Sequence, residues 1–216
     1  MPLDLDVLSC TLVRSSVILM FMTIASVVVL YKLLRGTTYW PSISEAGSVG
    51  LMYWLYSIGL TIGGTSLLLG GTIWYIRLLQ KSDSFNLYII LIILIHLLTC
   101  MTLIGQAIIP IEMNKEIDLH RKLAAMFFLS AFTLCFLISR IDENLSPPTL
   151  TRSIIRRVSF YTGAASMYGG QKLATHWQNL LSHNPALRDS RSMTTLACVQ
   201  YSMVACLMLF ISSITL

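Results

Sequence analysis

Charged residues divide this chain into long stretches that contain none. Residues 15–31, 46–76, 84–111, 123–139 and 192–216 carry no Asp, Glu, Lys or Arg. A helix rises about 1.5 Å per residue, so crossing a hydrocarbon core of about 30 Å takes about 20 mostly apolar residues. These stretches therefore read as membrane-crossing helices. A barrel would need alternating polarity, and runs such as LYIILIILIHLL and MVACLMLFI do not alternate. Composition points the same way: 55% of the 216 residues are hydrophobic and 12% charged, where a soluble domain carries about 25% charge. That is too little charge to cover a soluble globule, which argues against a soluble enzyme, a disordered chain and a nucleic-acid-binding domain.

The expected fold is all-α: a polytopic transmembrane helical bundle forming a single domain over residues 1–216, with no soluble domain. Six spans are expected, near residues 15–34, 51–77, 86–110, 122–139, 157–178 and 193–215. The fifth is the weakest. Its core, VSFYTGAASMYGG, is rich in small and weakly apolar residues and would cross only if neighbouring helices enclose it; the alternative is an interfacial segment. The first span follows Asp4 and Asp6 and is followed by Lys32, unlike a cleaved signal peptide.

The net charge of +5 comes from 15 Lys and Arg scattered through short loops, which suits anionic headgroups better than nucleic acid. The two faces carry balanced positive charge, and the cluster Arg152, Arg156 and Arg157 weakly favours a cytosolic fourth loop. The five cysteines form no C-x-x-C pair and read as small buried side chains, not as a disulfide framework or a zinc site. No metal site and no cofactor is expected.

Two polar loops hold the residues most able to do chemistry. One reads Tyr39-Trp40-Pro41-Ser42-Ile43-Ser44-Glu45, the other runs from Glu112 to Arg121 and includes Asp118 and His120. Two spans separate them, so both face one compartment. Ser42 and Glu45 stand at capping-box spacing. Glu45, Asp118 and His120 are the candidate catalytic or headgroup-binding set, since a histidine with carboxylates can act in acid–base chemistry. The preferred reading of these three residues is a hydrogen-bonded plug that holds the two loops together.

Within the spans, His96 is costly at bilayer depth and so a candidate in its own right; a neutral imidazole bonded to a neighbouring helix is preferred. Gln106 and Gln200 are candidates for polar contacts between helices. Gly59 and Gly63 form a GxxxG contact face, used inside the bundle or offered to a partner. Arg152, Arg156 and Arg157 are candidates for anionic headgroups, or for topological anchoring alone.

An early P-S-I-S-E-A loop, a later acidic loop ending in D-L-H before A-A-M-F-F, and five or six spans in about 200 residues together resemble the Frag/DRAM/Sfk family. The PSISEA wording is closer to the branch of the post-GPI-attachment factor and the Cwh-type proteins. The first loop is shorter than the family's and lacks cysteine. The resemblance implies six spans with both termini in the cytosol, and work in lipid handling. Pro41, Ser42, Ser44, Glu45 and His120 are the matched positions, and no catalytic assignment transfers with them.

The expected function is that of a non-enzymatic regulator, scaffold or accessory subunit of lipid-handling machinery. It would contact membrane lipids and other membrane proteins in the endoplasmic reticulum, Golgi or plasma membrane. The alternative is an intramembrane lipid-remodelling enzyme using Glu45, Asp118 and His120. No Walker motif, dinucleotide loop, H-E-x-x-H or G-x-S-x-G is present.

Overall fold

A computed structural model describes residues 4–80, 87–109, 117–145, 149–183 and 190–214. They form six long helices and one short one: α1 (Leu5–Arg35), α2 (Ile43–Ala46), α3 (Gly50–Gln80), α4 (Leu87–Ile108), α5 (Ile117–Leu145), α6 (Leu150–His183) and α7 (Ser190–Ile214). Among the described residues there is no strand. Five segments are long and apolar enough to cross a membrane: Leu5–Arg35, Gly50–Gln80, Leu87–Ile108, Leu119–Ile141 and Met193–Ile214. The all-α bundle expected from the sequence is the architecture observed.

Helix α1 starts ten residues before the uncharged stretch does. Asp4 caps it, its carboxylate accepting from the amides of Asp6 (3.0 Å) and Val7 (3.4 Å). Gly36, at φ 57°, ends it in the left-handed conformation that glycine takes without steric cost. Asp6 and Arg14 lie on exposed surface, so neither charge interrupts the helix. Asp6 instead approaches Arg77 of α3 at 3.9 Å, a surface pair that contributes little.

The helices pack in sequence as antiparallel neighbours. Against α3, α1 presents Ser9, Ser16 and Thr23, one every seven residues, opposite Gly70, Gly63 and Gly59. The serine hydroxyls donate to the carbonyls of Gly70 and Gly63, both at 2.7 Å. A Cβ on Gly59 would collide with the Thr23 side chain, so glycine permits this approach. The face opened by Gly59 and Gly63 is filled by α1 of the same chain.

Next in the row, α3 meets α4, where Tyr53 donates to the Ile108 carbonyl at 2.8 Å. Then α4 meets α5, where Tyr88 donates to the Leu137 carbonyl at 3.3 Å. Helices α6 and α7 form a separate tight pair. Arg152 and Arg156 of α6 bond Ser213 near the end of α7, Ser166 Oγ lies 3.1 Å from Ser202 Oγ, and Gly170 abuts Val199. Helix α6 thus accompanies α7 over most of its length. It is not among the five apolar spans, because arginines, glycines and hydroxyls interrupt its sequence. Its helix also runs from Leu150 to His183, beyond the 157–178 expected.

The α6–α7 pair closes the row into a ring. Helix α7 touches α1 and α5 only sparingly, and α2 is wedged between α1 and α7. Of the cysteines, Cys100, Cys135 and Cys206 are buried as expected, whereas Cys198 faces outward and Cys10 is half-buried.

Candidate functional site at the first loop

The first loop begins where Gly36 ends α1 and is folded back by Lys32. The Lys32 ammonium donates to the carbonyls of Thr37 (2.5 Å) and Tyr39 (2.9 Å) and lies over the Trp40 ring at 5.6 Å. Pro41 is fully buried, and its carbonyl accepts from the Tyr201 hydroxyl of α7. Ser42 caps α2 by accepting from the Glu45 amide at 3.2 Å.

Only half of the expected capping box forms. The Glu45 carboxylate turns away from Ser42: Oε1 accepts from the hydroxyls of Tyr39 (2.6 Å) and Tyr31 (3.2 Å). Oε2 is buried and makes no hydrogen bond among the described residues. The bond to Glu45 is the main reason the Tyr39 phenol is held above its ordinary pKa, with burial and the carboxylate's charge adding to it.

His120, near the start of α5, is 3% exposed. Its Nδ1 is 2.7 Å from the Ile109 carbonyl and its Nε2 3.0 Å from Ser44 Oγ. A carbonyl only accepts, so Nδ1 carries the proton and a neutral ring leaves Nε2 to accept from the Ser44 hydroxyl. Tyr56 of α3 hydrogen-bonds Ser44 as well. Nearby, the Ile43 amide donates to Gln200 Oε1 of α7 at 2.8 Å, and the Trp40 amide donates to Thr194 Oγ1 at 3.2 Å. One small loop thereby ties α3, α5 and α7 together.

Of the sequence candidates, Ser44 and His120 are brought into contact. Glu45 bonds two tyrosines instead, and the Asp118 side chain lies outside the described residues. Among the described residues, no three His, Cys, Asp or Glu side chains gather as metal ligands. Tyr31, Tyr39 and Tyr201 are the participants that sequence reasoning missed. Tyr39 stands six residues before Glu45 in the same polar loop.

His96 is 2% exposed, its Nε2 lying 3.3 Å from the Leu68 carbonyl of α3 and its ring edge-on to Tyr75 at 5.2 Å. Gly71 makes room for it: a Cβ there would stand 2.5 Å from the imidazole. At the far end of the bundle, Arg152 donates to the Ser213 (2.9 Å) and Ile214 (3.0 Å) carbonyls, and Arg156 to Ser213 Oγ (3.1 Å). Cations there complement the negative end of the α7 dipole. Arg156 is 4% exposed and its guanidinium faces α7, whereas Arg157 is exposed.

An all-helical ring with five apolar crossing segments defines the class: a polytopic integral membrane protein. Its family follows from the sequence. A family model described as the Frag1/DRAM/Sfk1/Cwh43P N-terminal domain matches residues 7–216, nearly the whole chain, and the protein belongs to that family. No curated protein and no solved structure matches the chain.

Proposed function

We propose that the protein is a multi-pass accessory factor of lipid-handling machinery, a regulator or scaffold that acts through the membrane and not through a reaction of its own. The supporting observation is what the first loop does with its polar groups. Ser44, His120, Pro41, Ile43 and one oxygen of Glu45 hold hydrogen bonds that fix the helices at one end of the bundle. The chain's family is the other support, since the resemblance to it implies work in lipid handling. The reading includes membrane lipids and other membrane proteins as partners, six crossings with α6 carried beside α7, and residence in the endoplasmic reticulum, Golgi or plasma membrane. GPI-anchor lipid remodelling is one process such a factor would serve.

One observation favours an enzymatic alternative. A serine hydroxyl 3.0 Å from an imidazole, whose other nitrogen is fixed by a carbonyl, has the nucleophile–base–orienter order of acyl-transfer sites. On that reading Ser44, not Glu45, is the partner of His120.

A single experiment separates the two. Cells deleted for the protein are complemented with the wild type, Ser44→Ala or His120→Gln at matched protein level, and membrane lipids are profiled. The accessory reading expects Ser44→Ala to restore the profile; loss of rescue at normal abundance favours the enzyme. A profile that deletion leaves unchanged overturns both.

A further inference from the structure

Inside the ring lies a cavity of about 100 Å³ walled by α1, α3, α4, α5 and α7 and roofed by Ile43 and Ser44 of α2. A water occupies about 30 Å³ in the liquid, so the space has room for about three waters and for no lipid chain. No Asp, Glu, Lys or Arg lines it, and most of its wall is apolar. Apolar walls alone leave a cavity dry, whereas polar groups without partners draw water in. Its occupant therefore depends on how its few polar groups are satisfied.

Two of them are engaged by backbone. His96 Nε2 lies 3.3 Å from the Leu68 carbonyl, and Thr99 donates to the Ile95 carbonyl at 2.8 Å. The end beneath the first loop differs. Gln106 of α4 and Gln200 of α7 both line the cavity. The Gln106 carbonyl adjoins the His120 ring, and Gln200 Oε1 accepts from the Ile43 amide at 2.8 Å, which sets both residues under α2. Gln106 is 7% exposed, and among the described residues no hydrogen bond engages its carboxamide. That group offers two donors and an acceptor oxygen. The bond from Ile43 fixes which end of the Gln200 carboxamide is the oxygen, and its NH₂ keeps donor capacity. Lipid supplies no hydrogen bonds, so an unmet carboxamide at this depth is costly.

We infer that the loop end of this cavity is an internal water site, where ordered water bridges the Gln106 carboxamide to the Gln200 NH₂ and so links α4 to α7. Water fits both sides of the demand: it donates to the Gln106 oxygen and accepts from the Gln200 amide, within the two to four partners a buried water takes. An apolar guest would leave Gln106 unmet, and an ion would find no opposite charge in the wall. The apolar remainder of the cavity stays dry. The site is a property of the bundle and stands independently of the lipid-handling reading.

The test is X-ray hydroxyl-radical footprinting of the purified full chain in nanodiscs, with oxidised residues mapped by mass spectrometry. Radiolysis makes the radical from water in place, so a buried side chain is oxidised when ordered water adjoins it. Two tyrosines of α3 form a matched pair, since both are buried and both line the cavity. Tyr56 bonds Ser44 at the loop end, whereas Tyr75 lies edge-on to His96. The expected result is oxidation of Tyr56 about tenfold faster than of Tyr75, because water adjoins only the loop-end ring. Gln106→Leu and Gln106→Met put an apolar group in place of the carboxamide, and each should lower Tyr56 to the Tyr75 rate. Equal rates in the wild type overturn the proposal, whether both are low, as in a dry cavity, or both high. Tyr56 oxidation that persists in a variant with the wild-type melting temperature overturns it too, since the radicals then arrive without the carboxamide. If both variants lose stability, the wild-type ratio alone decides. Deletion lipid profiles judge the accessory reading separately, so the two fail independently.

Discussion

The seam between α1 and α3 and the contacts of α7 with the rest of the ring are two ways of holding helices in lipid. Along the seam, glycines bring backbones together, and hydroxyls at seven-residue spacing bond the carbonyls they expose. Helix α7 packs tightly only on α6. At the first loop a hydrogen-bonded latch of Gln200, Tyr201 and Thr194 joins it to the bundle, and further along Val204, Leu207, Phe210 and Ile211 pack against the core. Lipid offers helices no hydrophobic reason to associate, so backbone approach must fix the seam, whereas side-chain packing and a few rim hydrogen bonds hold α7 to the bundle.

The comparison predicts unequal responses to substitution. Gly59→Leu forces a side chain into the space of Thr23, and overpacking of this kind costs about 3 kcal/mol or more where backbone must shift. The melting temperature in detergent, followed by size-exclusion fluorescence, should fall sharply. Gly169→Leu is the control: nothing lies within 4 Å of its added Cβ, and the expected change is within about 0.5 kcal/mol. Equal effects at both positions would break the account of the seam.

Gln200→Ala should act next most strongly, and locally. The Ile43 amide loses its acceptor, and an unsatisfied buried donor costs about 1–3 kcal/mol. Hydrogen exchange of the Ile43 region should accelerate while the amides of α3 keep their protection. If α3 loosens equally, the latch and the seam are one cooperative unit and the contrast between them fails.

The spans were legible because charge marks the membrane boundary, but charge misleads where it is neutralised or exposed. Asp6 and Arg14 sit on the surface of a continuous α1, so the helix begins well before the uncharged stretch. Arg152 and Arg156 lie inside α6 because the carbonyl end of α7 receives them. That pairing depends on tertiary structure and left no local mark. The glycine half of the seam is visible as GxxxG, but its partner stripe of Ser9, Ser16 and Thr23 is not, because hydroxyls in an apolar run resemble filler. At the site, topology put the loops of Ser44 and His120 in one compartment. The tyrosine partners of Glu45 carry no such mark, because a phenol near a membrane rim fits many roles there and only the folded loop brings it to the carboxylate.

Smaller effects sharpen the same contrast. Ser16→Ala removes one hydroxyl-to-carbonyl bond from the seam and leaves the glycine contact in place. Bonds between membrane helices average about 0.6 kcal/mol, so the expected loss is a fraction of that from Gly59→Leu. A loss as large as the glycine variant's would mean that hydroxyl bonding, not backbone approach, holds α1 to α3.

The least effect belongs to the loop itself and appears only in alkali. Folding raises the Tyr39 pKa, chiefly through its bond to Glu45. A group whose folded pKa lies above its unfolded value contributes stability fully below the unfolded value, about 10 for a phenol, and loses it as pH rises through the folded one. Protection of the first loop against hydrogen exchange or proteolysis, once corrected for intrinsic rates, should therefore weaken above that pH. Tyr39→Phe should flatten this dependence while leaving the seam unaffected, since neither serine bond of α1 involves a titrating group. An unchanged alkaline slope in Tyr39→Phe would assign the loop's titration to another residue and not to the Tyr39–Glu45 bond.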